Sequence, residues 1–257
     1  MTMTNILIVG ATRGLGASLR KLYAASPSAH IFATTRSANP ESSSQSNVSW
    51  LSNVDLTKPD VGHNLTSQLP ANTKLNTVII SAGYFGLESF DNPSWEKQLT
   101  MYTTSAIAPV FITQSLSKSG FLGSGSKVIL VSSESGSITL RHESEGGGNY
   151  GHHASKTALN MVGKLLSLDL KESGVAVGLV HPGFMRTEMT KGVGFDKYWD
   201  AGGAVTPDEA AKSLAEFIEG FDISKTGEYW APRGPGDIGT AEPVLGSGLP
   251  TPLQLPW

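Results

Sequence analysis

Residues 5–22, NILIVGATRGLGASLRKL, decide the fold of this chain. The stretch opens with four consecutive apolar residues (6–9), which are typical of a strand buried inside a parallel sheet. Leucines then recur at helical spacing, so the sequence predicts a strand that turns directly into a helix. Three glycines occupy that turn: Gly10, Gly14 and Gly16.

This glycine-rich turn predicts a nucleotide-binding loop. Glycines let backbone N–H groups and the positive end of a helix dipole come close to a pyrophosphate, which any Cβ atom would hold at a distance. A tight strand-to-helix turn without a ligand has the same glycine spacing, and these residues alone leave that alternative open.

Length and composition exclude several classes of protein. The chain has 257 residues, of which 39% are hydrophobic, and no linker divides it, so we expect a single domain over residues 1–257. Charged residues make up 16% and the net charge is -3, which provides no basic surface for nucleic acid or an anionic membrane. Cysteine is absent, no apolar run approaches the roughly 18 residues of a membrane span, and no signal peptide is recognisable. We therefore expect a soluble, cytoplasmic protein.

Strands alternate with helices along the whole chain. This alternation predicts an α/β fold, a Rossmann-type doubly wound parallel sheet with helices on both faces. Predicted strands cover residues 6–9, 30–35, 48–54, 75–81, 127–131 and 175–180. Predicted helices cover 95–116, interrupted only by Pro109, and 150–170, and a third begins at Thr206. We expect a loop at 37–47, an irregular and mobile substrate lid at 184–205, and an irregular coil at 232–257.

The end of the second predicted strand indicates which dinucleotide the loop binds. An acidic residue there hydrogen bonds a free ribose 2′-hydroxyl, whereas an arginine accommodates a 2′-phosphate through charge-assisted hydrogen bonds. This chain has Arg36 at that point and Arg13 inside the glycine loop, so the sequence favours NADP(H) over NAD(H). Two solvated surface arginines are the alternative.

Further strand ends place small or polar residues at the same edge of the sheet. Asp55, followed by Leu56, either meets an adenine amino group or caps the next helix, two interpretations of equal weight. Ala82 and Gly83 permit close approach of a ligand to the backbone or form a bend. Ser133 lies where the fifth strand opens into the cleft, the usual ligand position in such sheets.

Five motifs in order resemble those of the short-chain dehydrogenase/reductase family over nearly the whole chain: the glycine loop, Ala82-Gly83, Ser133, Lys156 and Pro182-Gly183. Within that family, YGHHASKTALNM (150–161) and HPGFMRTEM (181–189) are most similar to the C-factor-like carbonyl reductases, which have Y-x-Y-R-x-S-K-x-A-L-N-M and H-P-G-W-V-x-T-D-M. The resemblance implies a Rossmann fold, NADP(H) lying over the glycine loop, and hydride transfer to a carbonyl.

The resemblance also implies which residues hold the cofactor. Lys156 is expected on the nicotinamide ribose and residues 182–187 beside the carboxamide. The expected cofactor-binding residues are Gly10, Thr12, Arg13, Gly14, Leu15, Gly16, Arg36, Asp55, Leu56, Ala82, Gly83, Lys156, Pro182, Gly183, Met185 and Thr187. His142 and His153 are expected at the surface, and no metal is expected, because the histidines lack a fixed metal-ligand spacing.

Two departures from the family's pattern both affect proton delivery. The family's catalytic tyrosine lies four residues before the lysine, and here that position is His152. The family's helix asparagine, whose backbone holds a proton-relay water, aligns with Ser105. His152 and Lys156 share one helix face, whereas Tyr150 lies about 200° around the helix from His152 and could replace it only if the helix began later. The catalytic candidates are Ser133, His152, Lys156 and Tyr150.

The sequence suggests two roles for His152. Its reference pKa is near 6.5, and a neighbouring lysine lowers it, so a protonated His152 would be a slow general acid whose reaction accelerates as the pH falls. A neutral His152 would instead hydrogen bond a substrate oxygen, with Ser133 as the second donor.

Three functional hypotheses follow: an NADPH-dependent carbonyl or imine reductase, an enzyme of the same scaffold with non-redox chemistry such as isomerisation or cyclisation, and a protein that binds NADP(H) without turnover. An imine needs less help from an acid, because it can arrive already protonated. Loop aromatics favour an apolar or aromatic small-molecule substrate: Tyr84, Phe85, Phe90, Phe184, Phe195, Tyr198 and Trp199. A homo-oligomer is compatible with the family, whose members range from monomer to tetramer.

Overall fold

The computed structural model describes residues 3–38 and 45–257. Its strands are β1 (Thr4–Val9), β2 (Ala29–Thr34), β3 (Val48–Leu51), β4 (Thr77–Ile80), β5 (Lys127–Val131), β6 (Ala176–Val180), β7 (Tyr229–Ala231) and β8 (Leu253–Gln254). Over these described residues the strands form one sheet in the order β3-β2-β1-β4-β5-β6-β7-β8, and only β8 is antiparallel to its neighbour. The strand order reverses at β1, which pairs with β2 on one side and β4 on the other. The predicted doubly wound α/β fold is confirmed.

Helices cover both faces of this sheet. They are α1 (Gly14–Ala24), α2 (Val61–Ser67), α3 (Trp95–Tyr102), α4 (Ala108–Lys118), α5 (Tyr150–Leu170), α6 (Glu188–Gly192), α7 (Pro207–Glu219) and α8 (Ala241–Leu245). α1 and α7 pack on one face, and α2, α4 and α5 pack on the other. Among the described residues, no helix combines the length and apolar character needed to cross a bilayer.

The apolar run at 6–9 supplies both halves of the core. Leu7 and Val9 belong to the cluster on the α2, α4 and α5 side, and Ile6 and Ile8 belong to the cluster beneath α1 and α7. Because successive side chains of a strand point to opposite faces, a strand covered on both faces needs apolar residues at every position. This explains why the run shows no alternation with polar residues.

The long helix expected over 95–116 is interrupted at a different place than predicted. α3 ends at Tyr102, a π-helical turn follows at Thr103–Ile107, and α4 begins at Ala108. Pro109 lies in the first turn of α4, where its missing N–H has no helical partner to lose. The interruption is therefore the π turn, a feature that is frequent at functional sites.

Two segments expected to be irregular contain regular structure. The 184–205 segment holds α6 and a 3-10 turn at Phe195–Tyr198, and α6 begins at a capping box formed by Thr187 and Thr190. The 232–257 tail holds α8 and β8, and β8 extends the sheet by pairing with β7. The sequence did not predict these elements, because they are too short to show a period, and the rest of both segments is irregular as expected. Residues 39–44 of the predicted 37–47 loop lie outside the described residues.

Candidate active site

A cavity of about 950 Å³ opens at the carboxyl ends of the central strands. Its wall contains every predicted site residue except Tyr150. From the expected cofactor set it brings together Gly10, Thr12, Arg13, Gly14, Leu15, Gly16, Arg36, Asp55, Leu56, Ala82, Gly83, Pro182, Gly183, Met185 and Thr187. Ser133, His152 and Lys156 line the same cavity.

The glycine loop has the form that a phosphate group requires. Gly10 has a φ of +89°, and a Cβ atom there would lie 2.7 Å from Ala82 Cα, so only glycine permits this turn. α1 begins at Gly14 without a side-chain cap and without an acidic residue in its first turn. Its free N–H groups and positive dipole end therefore lie at the cavity wall, where they fit a pyrophosphate.

Two exposed arginines lie at this loop: Arg13 within it and Arg36 after the end of β2. Among the described residues, neither Arg13 nor Arg36 has a carboxylate within 4.0 Å. Asp55 is engaged in its own turn, where it accepts hydrogen bonds from Thr57 N at 2.9 Å and Thr57 Oγ1 at 2.8 Å. Burial raises the pKa of Asp55, but these bonds outweigh it and leave the pKa below its usual value. The N-cap of α2 is Asp60, so Asp55 does not cap that helix.

Lys156 is the cation at the floor of the cavity. It lies on α5, is buried, and donates from Nζ to the Val131 carbonyl at the end of β5 at 2.8 Å. Burial lowers its pKa from 10.5 to about 8, because no carboxylate compensates for lost hydration. An ammonium group fixed at this depth can hold hydroxyl or phosphate oxygens of a ligand.

His152 lies one helical turn before Lys156 and faces the same cavity. Its ring stacks on Phe85, with centroids 4.1 Å apart, and its Nδ1 lies 3.5 Å from Ser135 Oγ and 3.4 Å from His153 Nδ1. Ser135 Oγ is in turn 2.7 Å from Ser133 Oγ. Burial first, then the charges of Lys156 and His153, lower the pKa of His152 from 6.5 to about 3. The imidazole is therefore neutral near pH 7.

The two other residues considered for proton transfer do not reach the cavity. α5 begins at Tyr150 itself, so the helix does not begin late enough to bring this side chain to the place of His152, and Tyr150 is not part of the cavity wall. Ser105 is buried in the π turn, and its neighbour Thr104 lines the cavity instead. His153, which we expected at the surface, is half-buried and lines the cavity.

Sequence motifs missed a buried polar network beside the Pro182-Gly183 turn. Asp237, from the tail, accepts a hydrogen bond from Phe184 N and lies 3.5 Å from His181 Nε2. The hydroxyl of Tyr229 donates to the Ser133 carbonyl, so the network also fixes the serine loop. A weak signal was available, since Asp237 is one of only two acidic residues in the proline- and glycine-rich tail.

Aromatic side chains form the outer wall of the cavity. Five of the seven aromatics expected around a substrate line it: Tyr84, Phe85, Phe184, Phe195 and Tyr198. Phe90 is 83% exposed, and Trp199 donates from its indole nitrogen to Thr190 within the 184–205 segment instead of lining the cavity. The part of the wall formed by these rings is therefore largely apolar.

Comparison with known proteins gives this arrangement a family. The short chain dehydrogenase family model matches residues 4–197. The 1-hydroxy-2-glutathionyl-2-methyl-3-butene dehydrogenase of Rhodococcus sp. (strain AD45) is 27% identical over 232 residues, which cover 88% of this chain and 96% of that protein.

Solved structures with the same fold include two carbonyl reductases. Carbonyl reductase Sniffer of D. melanogaster superposes with a TM-score of 0.75 at 23% identity, covering 99% of this chain and 100% of that one. The NADPH-bound carbonyl reductase from chicken fatty liver superposes with a TM-score of 0.73 at 22% identity, covering 90% and 97%. Together with the family match over most of its length, these likenesses show that the chain belongs to the short-chain dehydrogenase family of oxidoreductases.

Proposed function

We propose that this protein is an NADP(H)-dependent reductase that acts on the C=O or C=N bond of an apolar or aromatic small molecule. The observation that carries the proposal is the convergence in one cavity of the uncapped N-terminus of α1, buried Lys156, and two arginines that have no carboxylate partner among residues 3–38 and 45–257. The chicken reductase, which shares the fold, is described with NADPH bound.

The residues present fit this dinucleotide. The free N–H groups at Gly14, Leu15 and Gly16 suit its pyrophosphate, and Arg13 and Arg36 suit a 2′-phosphate. A Cβ at Gly83 would meet no atom within 4 Å, so this glycine leaves room at the wall for a ligand. When bound, NADPH supplies a hydride ion.

The chain's own residues would orient the bond that is reduced. Ser133 Oγ and the imidazole of His152 are connected through Ser135, and they suit two hydrogen bonds to a substrate oxygen. His152 Nδ1 faces Ser135 and His153, which leaves Nε2 as the atom for the substrate. Phe85, stacked on the imidazole, excludes water from one side of it.

The first test concerns the dinucleotide. Calorimetry should show that NADPH binds more tightly than NADH, and Arg36→Ala should weaken NADPH binding by about 10- to 100-fold while leaving NADH unchanged, since a charge-assisted hydrogen bond contributes about 1.5 to 3 kcal/mol. Lys171→Ala, an exposed cation at the far end of α5, is the matched control and should change neither affinity.

Equal affinities for the two dinucleotides in the unmodified protein would remove Arg36 from the cofactor site. Tight NADPH binding without reduction of any aromatic ketone or iminium compound would favour the non-redox or purely binding alternatives.

A further inference from the structure

A carboxyl group without a partner lies in the cavity wall directly after Ser133. Glu134 begins a short 3-10 turn, and its backbone N–H donates to His181 Nδ1 at 3.0 Å. Glu134 is one of the residues that line the cavity. Over residues 3–38 and 45–257, its carboxyl oxygens accept no hydrogen bond and have no cation within 4.0 Å.

The surroundings of Glu134 compensate its negative charge only in part. His181 after β6, Tyr229 of β7, Asp237 of the tail, and the pair Arg141 and Glu145 all face it. Arg141 is occupied by an ion pair with Glu145, and His181 lies against Asp237. Burial is the largest influence and raises the pKa of Glu134; the charges of Glu145 and Asp237 add to the rise, and those of His181 and Arg141 oppose it without cancelling it.

Aromatic rings line the same cavity as Glu134. Phe195 meets Phe85 edge-on with centroids 5.6 Å apart, and Tyr198 meets Phe195 edge-on at 6.1 Å. Aromatic faces attract cations through their ring quadrupoles; Lys197 Nζ already lies 4.8 Å from the centroid of the Tyr198 ring, and the neutral His152 adds no positive charge beside Phe85. The cavity therefore contains both an unpaired carboxyl and aromatic rings, two kinds of group that attract a cation.

We propose that the substrate carries a positive charge on the nitrogen of the bond that is reduced, as an iminium cation, and that the Glu134 carboxylate is its counter-ion. This rests on the proposed function. Reduced NADP(H) provides two electrons as hydride, which forms a C–H bond at the iminium carbon, and the electron pair of the C=N π bond returns to nitrogen as a lone pair. The product is a neutral amine, and no proton is consumed, so the reaction needs no acid at position 152.

The test compares two ligands of one shape. The 2-methyl-3,4-dihydroisoquinolinium cation is permanently charged, and α-tetralone is a neutral bicyclic ketone of similar size. Calorimetry on the full chain should show about ten-fold tighter binding of the cation, and Glu134→Gln should abolish that preference while changing ketone affinity less than about two-fold. Glu143→Gln, an exposed glutamate in the same loop, is the matched control.

The pH dependence provides a second measurement on the unmodified protein. Affinity for the cation should fall as the pH drops through the Glu134 pKa, because a protonated carboxyl carries no charge, and ketone affinity should stay constant. This measurement also serves if the Glu134→Gln protein does not fold.

Equal affinity for the two ligands, a cation affinity independent of pH, or faster reduction of the ketone than of the iminium by NADPH would overturn the proposal and leave the reductase function intact. Failure to bind NADPH at all would instead contradict the proposed function.

Discussion

His152 is the residue on which the proposed chemistry of the site depends most. The resemblance places it where the family's tyrosine is expected; the imidazole is half-buried beside Lys156 and His153, and its pKa falls to about 3. Less than about one molecule in a thousand is then protonated at pH 7. The interpretation of His152 as a protonated acid near neutrality is therefore disfavoured, and its role as a neutral hydrogen-bond donor is favoured.

Replacement of His152 should test that role directly. For a neutral aromatic ketone, His152→Ala should lower turnover by about 10², the usual effect of losing one donor to a developing oxyanion, with NADPH affinity nearly unchanged. Turnover of the unmodified protein should show no rise assignable to His152 as the pH falls from 8 to 5, because the group stays neutral throughout. Steady-state kinetics measures both effects, and His142→Ala, outside the cavity, is the control. If turnover of the unmodified protein rises as the pH falls, and His152→Ala lacks this rise, then His152 acts as a general acid.

The burial of Lys156 should make the free energy of unfolding depend on pH. Its folded pKa of about 8 lies below the ordinary 10.5, so between these values the folded state binds fewer protons than the unfolded state. The free energy of unfolding should therefore rise with pH across this window and reach its full gain above pH 10.5. Lys156→Met should remove that rise, and exposed Lys171→Met should retain it. Urea unfolding at pH 7.5 to 10.5 provides the measurement, and identical slopes for Lys156→Met and the unmodified protein would contradict a lowered pKa.

Among individual site residues, the sequence motifs predicted those that lie within one continuous segment of the chain. The glycine loop, Lys156 and Pro182-Gly183 all line the cavity, because each motif is rigidly attached to a strand end or a helix. Glu134 and Asp237 were missed, because their roles arise from contacts between a loop and the distant tail. No local spacing in the sequence encodes such contacts.

At the scale of elements, a buried glutamate fixes the start of α5. Glu88 accepts hydrogen bonds from Gly151 N at 2.8 Å, Ser94 N at 2.9 Å and Gln98 Nε2 at 3.0 Å. These bonds join the loop after β4 to both α3 and α5, and α5 carries His152 and Lys156. Glu88 is therefore a positioning residue for the site.

Glu88→Gln should loosen this junction. Loss of the charged acceptor should reduce the free energy of unfolding by about 2 kcal/mol, whereas Glu96→Gln on the exposed side of α3 should change it little. Although burial raises the Glu88 pKa, the hydrogen bonds outweigh it and hold the pKa below 4.5. Its stabilisation is therefore complete above pH 4.5 and lost as the pH falls through the lowered value. Chemical denaturation at pH 7 and pH 3 tests this, because the difference in free energy of unfolding between Glu88→Gln and the unmodified protein should shrink at pH 3. A difference that is the same at both pH values would contradict the lowered Glu88 pKa.

The 184–205 segment is held at its two ends, although it was expected to be irregular. Met185 and Val205 form a β-bridge, and Arg186 pairs with Asp200 at 2.7 Å. The intervening residues carry Phe195 and Tyr198 to the cavity. This arrangement is suited to a flap that moves as a unit about its two ends.

We predict that this flap closes on ligand. Amide hydrogen exchange at residues 188–203 should slow when NADPH and an aromatic ketone are both present, because closure protects N–H groups that the open flap exposes. α7, which packs on the far face of the sheet, is the internal control and should not change. Protection that is already complete without ligand would make the segment part of the static core.

Strands were predictable from the sequence where burial on both faces requires apolar residues. β1, β4, β5 and β6 coincide with apolar runs, since strands covered on both faces need them. The π turn at Thr103–Ile107 was not predictable, because one extra residue in a helix alters the spacing of apolar residues only slightly. β7 and β8 are too short to show a pattern, and they form through pairing with the rest of the sheet.

At the scale of the whole molecule, an apolar surface lies on α3 and α5, which pack against each other. Met161, Leu165 and Leu168 are spaced i, i+4 and i+7 along α5, and each is more than half exposed. Trp95 and Leu99 on α3 are 79% and 56% exposed. Exposed apolar side chains grouped on neighbouring helices of a globular protein often mark an interaction surface.

The partner that we predict for this surface is a second copy of the chain. α5 has 21 residues and is about 30 Å long, enough for a two-fold pair of helices to bury about 800 Å² per subunit, the size of a stable interface. Sedimentation velocity should show a dimer for the unmodified protein and a monomer for Leu165→Glu, because a buried carboxylate without a partner opposes association. Leu22→Glu, an exposed leucine on α1 at the opposite face of the sheet, should remain dimeric. A monomeric unmodified protein, or a dimer that survives Leu165→Glu, would show that this surface does not pair with itself.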